Sequence, residues 1–255
     1  MTDTRPEQNM INLVKFMGST FGIANVSHIV ELGARDCKET LWLNKYFPKA
    51  NILSFECNPS KLEECRARVS RFANIKLVEK AVSDTSGTVS FFQIDPEKTI
   101  TDWEDGNPGA SSLYKASVEY ELEKYVQKEI TVPCTTLHEE LPQHNFDKID
   151  LLWMDIQGSE LNAVKGLKEK LSDVHIIHTE VEFMAIYEGQ PLFWDLKKFL
   201  NDRGFKLASF TSFHKNKAGD AIFINTAKMG LLKRLKYYIT NRTLYLLYHY
   251  KVLSL

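Results

Sequence analysis

The sequence lacks long apolar runs, paired cysteines and a dominant charge sign, and each absence excludes something. No apolar stretch reaches the roughly 18–20 residues of a membrane-crossing helix, so none is expected. The four cysteines, Cys37, Cys57, Cys65 and Cys134, form no Cys-x-x-Cys pair and no ligand-like spacing. They read as reduced thiols of a cytoplasmic protein, with neither a disulfide framework nor a structural zinc. The first residues show no basic stretch leading into an apolar one, and a secretion signal is not expected. With 32 Lys and Arg against 33 Asp and Glu, the net charge of −1 points to no polyanionic partner. No RNA-binding appendage and no Asn/Asp-Pro-Pro-Tyr tetrapeptide is present, so nucleic acid is not an expected partner.

Glycine is scarce where a nucleotide-binding chain concentrates it. His28–Leu32 reads as a short apolar strand, Gly33 as a turn, and a helix begins near Lys38. A dinucleotide fingerprint carries three glycines, whereas here Gly33 stands alone and Cys37 fills the last glycine slot. A second apolar run follows and ends in Glu56. Strand, glycine turn, helix and acid-ending strand together suit an adenosine-containing cofactor. Gly33 would allow close backbone approach, and Glu56 would accept hydrogen bonds from both ribose hydroxyls. An ordinary strand–helix turn accounts for these residues equally well.

What is present is a βα rhythm. A hydrophobic content of 44% with 25% charged residues suits one large α/β domain better than two small ones. Residues 10–21 have apolar side chains at helical spacing, predicting an N-terminal helix on the sheet edge or partly over the cofactor. Strands are predicted over 28–32, 51–56, 75–82, 149–155 and 174–181, with helices over 38–47, 58–72, 159–171 and 192–203. The rhythm breaks over 88–136, where the pattern predicts a returning strand at 88–94, a polar loop and a charged helix over 117–128. A short strand over 130–135 closes that insertion. Runs at 205–213 and 220–225 predict a terminal hairpin. The fold class is therefore α/β, with a mostly parallel sheet and an antiparallel C-terminal hairpin. The chain divides into a helical segment 1–27, a domain 28–227 and a tail 228–255.

Four blocks carry a resemblance. They are Glu31-Leu32-Gly33-Ala34, Phe55-Glu56-Cys57-Asn58-Pro59, Ala81-Val82-Ser83-Asp84 with Gly87, and residues 149–161 around Asp155-Ile156-Gln157-Gly158. In this order the sequence resembles class I S-adenosylmethionine-dependent methyltransferases, with their Rossmann-like fold, and more narrowly the FkbM-type family. The pair Ser111-Ser112 and the hairpin ending Ile222–Asn225 also fit. The sequence departs from the family where Arg35 and Cys37 replace an Asn and a second Gly, and where Gln157 replaces a Glu.

The resemblance implies S-adenosylmethionine as cofactor, lying across the carboxyl ends of the first strands. Glu31 would lie near the methionine amine, Gly33 and Ala34 at the turn, and Glu56 with Cys57 at the ribose. Ala81, Val82, Ser83 and Asp84 would surround the adenine. Methyl transfer to an alcohol needs alignment and removal of a proton. Asp155, ending the fourth strand, is the first candidate base; it could instead hold a divalent cation with Glu180 or Glu182. His178 is a second candidate base, although a histidine inside an apolar strand is more often core. Ser111, Ser112, Glu182 and His214 are candidate acceptor contacts. The implied activity is O-methylation of a hydroxyl of a glycan, glycolipid or related metabolite. An NAD-dependent oxidoreductase and a catalytically silent binding module are the alternatives.

The tail has its own character. Residues 228–255 hold six Lys or Arg and no acid, leaving −7 on the rest of a chain of net charge −1. Its apolar residues from Leu231 to Ile239 form one helical stripe. That stripe could pack on the chain's own sheet, on a second copy in a homodimer, or on an anionic membrane surface that would make the protein peripheral.

Overall fold

The parallel strands form where apolar runs are bounded by turns, and their order sets the site. The computed structural model describes residues 5–20, 26–214 and 217–229. Helix α1 (Arg5–Thr20) precedes strand β1 (His28–Leu32), helix α2 (Lys38–Tyr46) and strand β2 (Asn51–Phe55). Helix α3 (Pro59–Val69) has proline in its first turn, and the Asn58 side chain accepts from Ser60 N, so its start is fixed twice. Strands β3 (Ile75–Val78), β4 (Ala81–Val82), β5 (Gly87–Ile94) and β6 (Gln127–Thr135) follow. The remainder is α4 (Leu137–Gln143), β7 (Ile149–Met154), α5 (Glu160–Lys165), β8 (Val174–Glu182), α6 (Phe193–Asn201), β9 (Phe205–His214) and β10 (Ala218–Asn225).

The main sheet has seven strands in the order β3-β2-β1-β7-β8-β10-β9. Strands β3 to β8 run parallel, and β10 lies antiparallel between β8 and β9. The order reverses at β1, so β2 and β7 flank it and their carboxyl ends form a crevice. Strand β7 is buried throughout, with Leu152 and Met154 in one apolar layer and Leu151 and Trp153 in the other. Helix α1 buries Met10, Leu13 and Met17 against that second layer, each contributing roughly 1.5–3 kcal/mol. It packs on α2 and β9 rather than over the crevice.

Three expectations are corrected. The apolar run 75–82 is broken into β3 and β4, and β4 leaves the main sheet to pair with β6 in a second sheet ordered β4-β6-β5. Residues 117–126 form no helix. Val118 is 93% and Leu122 50% exposed, so a helix there would have no apolar face to bury. Tyr125 instead stacks on Tyr187, and Ser117 N donates to Ile186 O, tertiary contacts that override helix propensity. Finally, the helix expected over 159–171 ends at Lys165 and continues as a 3-10 turn over Lys168–Asp173.

Candidate active site

A cavity opens at the carboxyl ends of β1, β2 and β7, with about 620 Å³ of empty space, part of it open to solvent. Glycine is required at its floor for a reason the sequence does not reveal. Gly33 has φ +84°, and a Cβ there would stand 1.9 Å from the carbonyl oxygen of Asp155. The constraint is close packing of the β1 turn on the β7 end, which Asp155 N completes by donating to Leu32 O at 3.0 Å. The amides of Gly33 and Ala34 both donate to Phe55 O, so they face the sheet. Ala34 belongs to the core and does not line the cavity. Arg35 (φ +52°) and Cys37 (φ +59°) also adopt left-handed backbone, here without glycine.

Glu56 ties the crevice together. Its Oε2 accepts from Arg35 N and its Oε1 from Asn58 N, each at 2.7 Å. Burial pushes its carboxyl up to about 7 against these amides. Beside it Cys57, Ala81, Val82, Phe91 and Leu113 give the cavity an apolar wall. Ser83 and Asp84 do not reach it; Ser83 Oγ donates to Asp84 instead. Arg35, which the resemblance marked only as a departure, pairs with Asp105 at 2.6 Å and so joins the first turn to the insertion.

Glu31 is corrected as a cavity residue. Its side chain lies behind the turn, fully buried, where Thr40 Oγ1 donates to Oε2 at 2.5 Å and Ser54 also donates. Burial raises its carboxyl to about 7, and Oε1 has no partner.

At the other end Asp155, Ile156 and Ser159 line the cavity. Gln157 and Gly158 have successive positive φ values of +54° and +92°, a strained turn that brings the Gln157 amide back over the strand ends. Its Nε2 donates to Asp155 Oδ1 and to Glu180 Oε2, each at 2.7 Å. The Tyr187 hydroxyl lies 2.8 Å from Gln157 Oε1 and from Ala110 O, so its single proton serves one at a time. Ser112 Oγ donates to Gln157 O at 2.6 Å, which makes Ser112 a support rather than an acceptor contact. Ser111 lines the cavity, but its hydroxyl is engaged by Pro108 O and Ile94 N. Burial and the neighbouring Asp155 and Glu182 charges hold the Glu180 carboxyl well above its usual range.

His178 is corrected as a base. It is buried, stacks on Trp153 with ring centroids 4.0 Å apart, and bonds Thr211 Oγ1 through Nε2 at 2.7 Å. Burial pulls its pKa down to about 3, so it is a neutral core residue outside the cavity. His214 ends β9, and its side chain lies outside the described residues. Among the described residues no group of three or more His, Cys, Asp or Glu is placed to hold a metal ion. The expected set of Asp155, Glu180 and Glu182 is thus not among residues so placed. Gln157 and Tyr187 were the functional side chains hidden from the sequence; a departure from the family pattern at Gln157 was their only signal.

A family model, the methyltransferase FkbM domain, matches residues 31–207. The chain belongs to the FkbM methyltransferase family. Among curated relatives, the 2-O-methyltransferase NoeI of Sinorhizobium fredii is 28% identical over 162 residues, covering 64% of this chain and 66% of that one. The methyltransferase sdnD of Sordaria araneosa is 24% identical over 210 residues, covering 75% of this chain and 80% of that one. Among solved structures, magnesium protoporphyrin IX methyltransferase from Synechocystis with bound SAM is 11% identical, with a TM-score of 0.47 over 86% of this chain and 80% of that one.

As an FkbM methyltransferase the chain has the expected class I architecture, and the family retires the nicotinamide alternative. The residues present fit S-adenosylmethionine. Ser159 Oγ is fully buried beside the cavity without a partner, a free polar group for a ligand. Glu56 offers a carboxylate beside an apolar wall of the kind that suits a purine face. No described helix is long and apolar enough to cross a membrane.

Proposed function

We propose that the chain transfers a methyl group from S-adenosylmethionine to a hydroxyl of a glycan, glycolipid or related metabolite. The observation that carries this reading is one cavity joining Glu56 at the end of β2 to Asp155 beyond the end of β7. Glu56 would hold the ribose diol, Cys57, Ala81, Val82 and Phe91 the purine, and Ser159 a polar group of the cofactor. When bound, that cofactor supplies an electrophilic methyl group on a sulfonium. Asp155 takes the proton of the attacking hydroxyl, the one step at which methyl transfer to an alcohol needs a base. Gln157 fixes the Asp155 carboxylate by one of its two amide protons and Glu180 by the other. The Asp155 side chain then meets the acceptor in one orientation, which lowers the entropic cost of alignment.

The name of the relative NoeI supports oxygen as the acceptor atom. The basic segment 228–255 supports an acceptor at an anionic lipid surface on the cytoplasmic side. Incubation with methyl-labelled cofactor and separate glycolipid, polysaccharide and small-metabolite extracts tests the reading. Label is expected in a base-stable ether of one fraction. A chain that binds the cofactor but labels no fraction, or one that binds none, would support the silent binding module instead.

A further inference from the structure

Tyr187 is fully buried and does not line the cavity. Burial and the neighbouring Tyr125, Glu182, Glu180 and Asp155 push its hydroxyl well above the usual tyrosine range, so it remains a donor. Its backbone is anchored, because Gln190 Oε1 accepts from Tyr187 N at 2.6 Å and from Ile186 N at 2.7 Å. Its ring stacks on Tyr125, with centroids 6.4 Å apart and the planes at 17°. The same Gln190 side chain backs Gly158, where a Cβ would stand 3.2 Å from Gln190 Cβ. The Tyr187 loop and the Gln157-Gly158 turn are therefore packed as one unit.

The hydroxyl faces two acceptors at the same distance, Gln157 Oε1 and Ala110 O, each 2.8 Å away. They compete unequally. The Gln157 amide donates through Nε2 to two carboxyl groups, those of Asp155 and Glu180, which draws electron density onto its oxygen. The Ala110 carbonyl is less polarised, since the N–H of its own peptide, Ser111 N, makes only a 3.3 Å bond to Pro108 O. The Tyr187 proton is therefore better placed on Gln157.

That proton decides something the two acids do not. In the ionised form that a base requires, Asp155 only accepts. Burial and the charges of Asp155 and Glu182 favour the protonated form of Glu180, which can donate to an amide oxygen as well as accept from its nitrogen. A flipped Gln157 amide would turn its oxygen to Glu180 and take the donor away from Asp155. The flip would also drive the Tyr187 proton to the weaker acceptor, Ala110 O.

We propose that Tyr187 is a positioning residue, whose hydroxyl fixes the Gln157 amide and through it holds Asp155 in line for the acceptor hydroxyl. Ser112 secures the same turn from the main-chain side by donating to Gln157 O at 2.6 Å. This rests on the methyltransferase reading and adds to it a residue outside the cavity.

The test is NMR of the full chain with isotope-labelled glutamine, in which the signals lost in Gln157→Leu identify the Gln157 amide. In the wild type both Nε2 protons should give separate signals protected from solvent exchange. Tyr187→Phe should speed that exchange by about tenfold or more, the scale of one lost hydrogen bond, while calorimetry shows unchanged affinity for S-adenosylmethionine. Tyr125→Phe removes a hydroxyl from the same stacked pair, one that donates to Glu123 rather than Gln157, and should leave the exchange unchanged. In the labelling assay Tyr187→Phe should lower turnover roughly tenfold at unchanged cofactor KM. If Tyr187→Phe does not fold, ring-fluorinated tyrosine incorporated throughout the wild-type chain strengthens the hydroxyl as a donor and should slow the exchange instead. Unprotected Gln157 protons in the wild type, unchanged exchange in Tyr187→Phe or in the fluorinated chain, equal acceleration by Tyr125→Phe, or full turnover despite faster exchange overturns the proposal. Faster exchange specific to Tyr187→Phe, in a chain that labels no fraction, would leave the positioning contact standing and sink the methyltransferase reading instead.

Discussion

The carboxylates of Asp155 and Glu180 are held across a single nitrogen, Gln157 Nε2, at 2.7 Å each. One amide thus positions the candidate base against its neighbour. Burial and the charge of Asp155 keep the Glu180 carboxyl raised. Asp155→Asn preserves the shape and is expected to leave cofactor affinity intact while lowering turnover by roughly a hundredfold or more. Single-turnover kinetics with saturating cofactor check this; a fully active variant removes Asp155 from the chemistry.

Gly33 makes a structural prediction. Its φ of +84° and the 1.9 Å approach of the Asp155 carbonyl leave no room for a methyl group. Gly33→Ala should lose more than the roughly 1–2 kcal/mol of left-handed strain alone, because backbone must also move. Denaturant titration measures the loss. A variant as stable as the wild type would mean that the packing of the β1 turn on Asp155 is wrong.

Glu31 makes a pH prediction. Its carboxyl titrates near 4.5 when unperturbed and at about 7 in the fold. The native state therefore binds more protons than the unfolded chain between those values, and stability falls as pH rises through that window. His178, drawn down to about 3 by burial, acts in the opposite sense at the acid end, so the wild-type profile alone is ambiguous. Glu31→Gln isolates the effect. Its stability relative to wild type should grow from pH 4.5 to 7 by at most about 3 kcal/mol, the equivalent of the shift. A flat difference across that range contradicts the burial argument.

The tail makes a membrane prediction. Lys228 pairs with Asp173, and Met229 is buried, but residues 230–255 lie outside the described residues. A chain ending at Met229 keeps both contacts. Full-length protein should co-sediment with anionic vesicles at low salt and be released by high salt, whereas the shortened chain should not. Equal behaviour of the two folded chains rules out a membrane anchor. Loss of folding or of dimer formation on truncation would place the stripe on the sheet or on a second copy.

The sheet was legible because its signals are local. Each parallel strand is an apolar run between turns, and Glu56 and Asp155 are read from their places at the end of such runs. Residues 117–126 misled because charge and spacing resemble a helix, while the deciding contacts, Tyr125 on Tyr187 and Ser117 on Ile186, join residues distant in sequence. Helix α4 was missed although Thr136 and Glu139 form a capping pair, with the Thr136 side chain accepting from Glu139 N. Glu31 illustrates a different limit. Its position beside Gly33 is a sequence fact, but alternation along β1 turns its side chain away from the cavity toward Thr40 and Ser54. The Gln157–Tyr187 contact spans thirty residues and depends on a left-handed turn at a non-glycine residue, which no local pattern announces.

Calorimetric titration of the full chain with S-adenosylmethionine, wild type against Glu56→Ala, tests the central claim most directly. The wild type should bind one equivalent, and the variant should bind more weakly by about 1.5–3 kcal/mol through loss of charge-assisted hydrogen bonds. Glu56 also accepts from Arg35 N and Asn58 N, so folding of the variant is verified by circular dichroism first. A folded Glu56→Ala chain with unchanged affinity, or a wild type that does not bind, would contradict the assignment of this cavity.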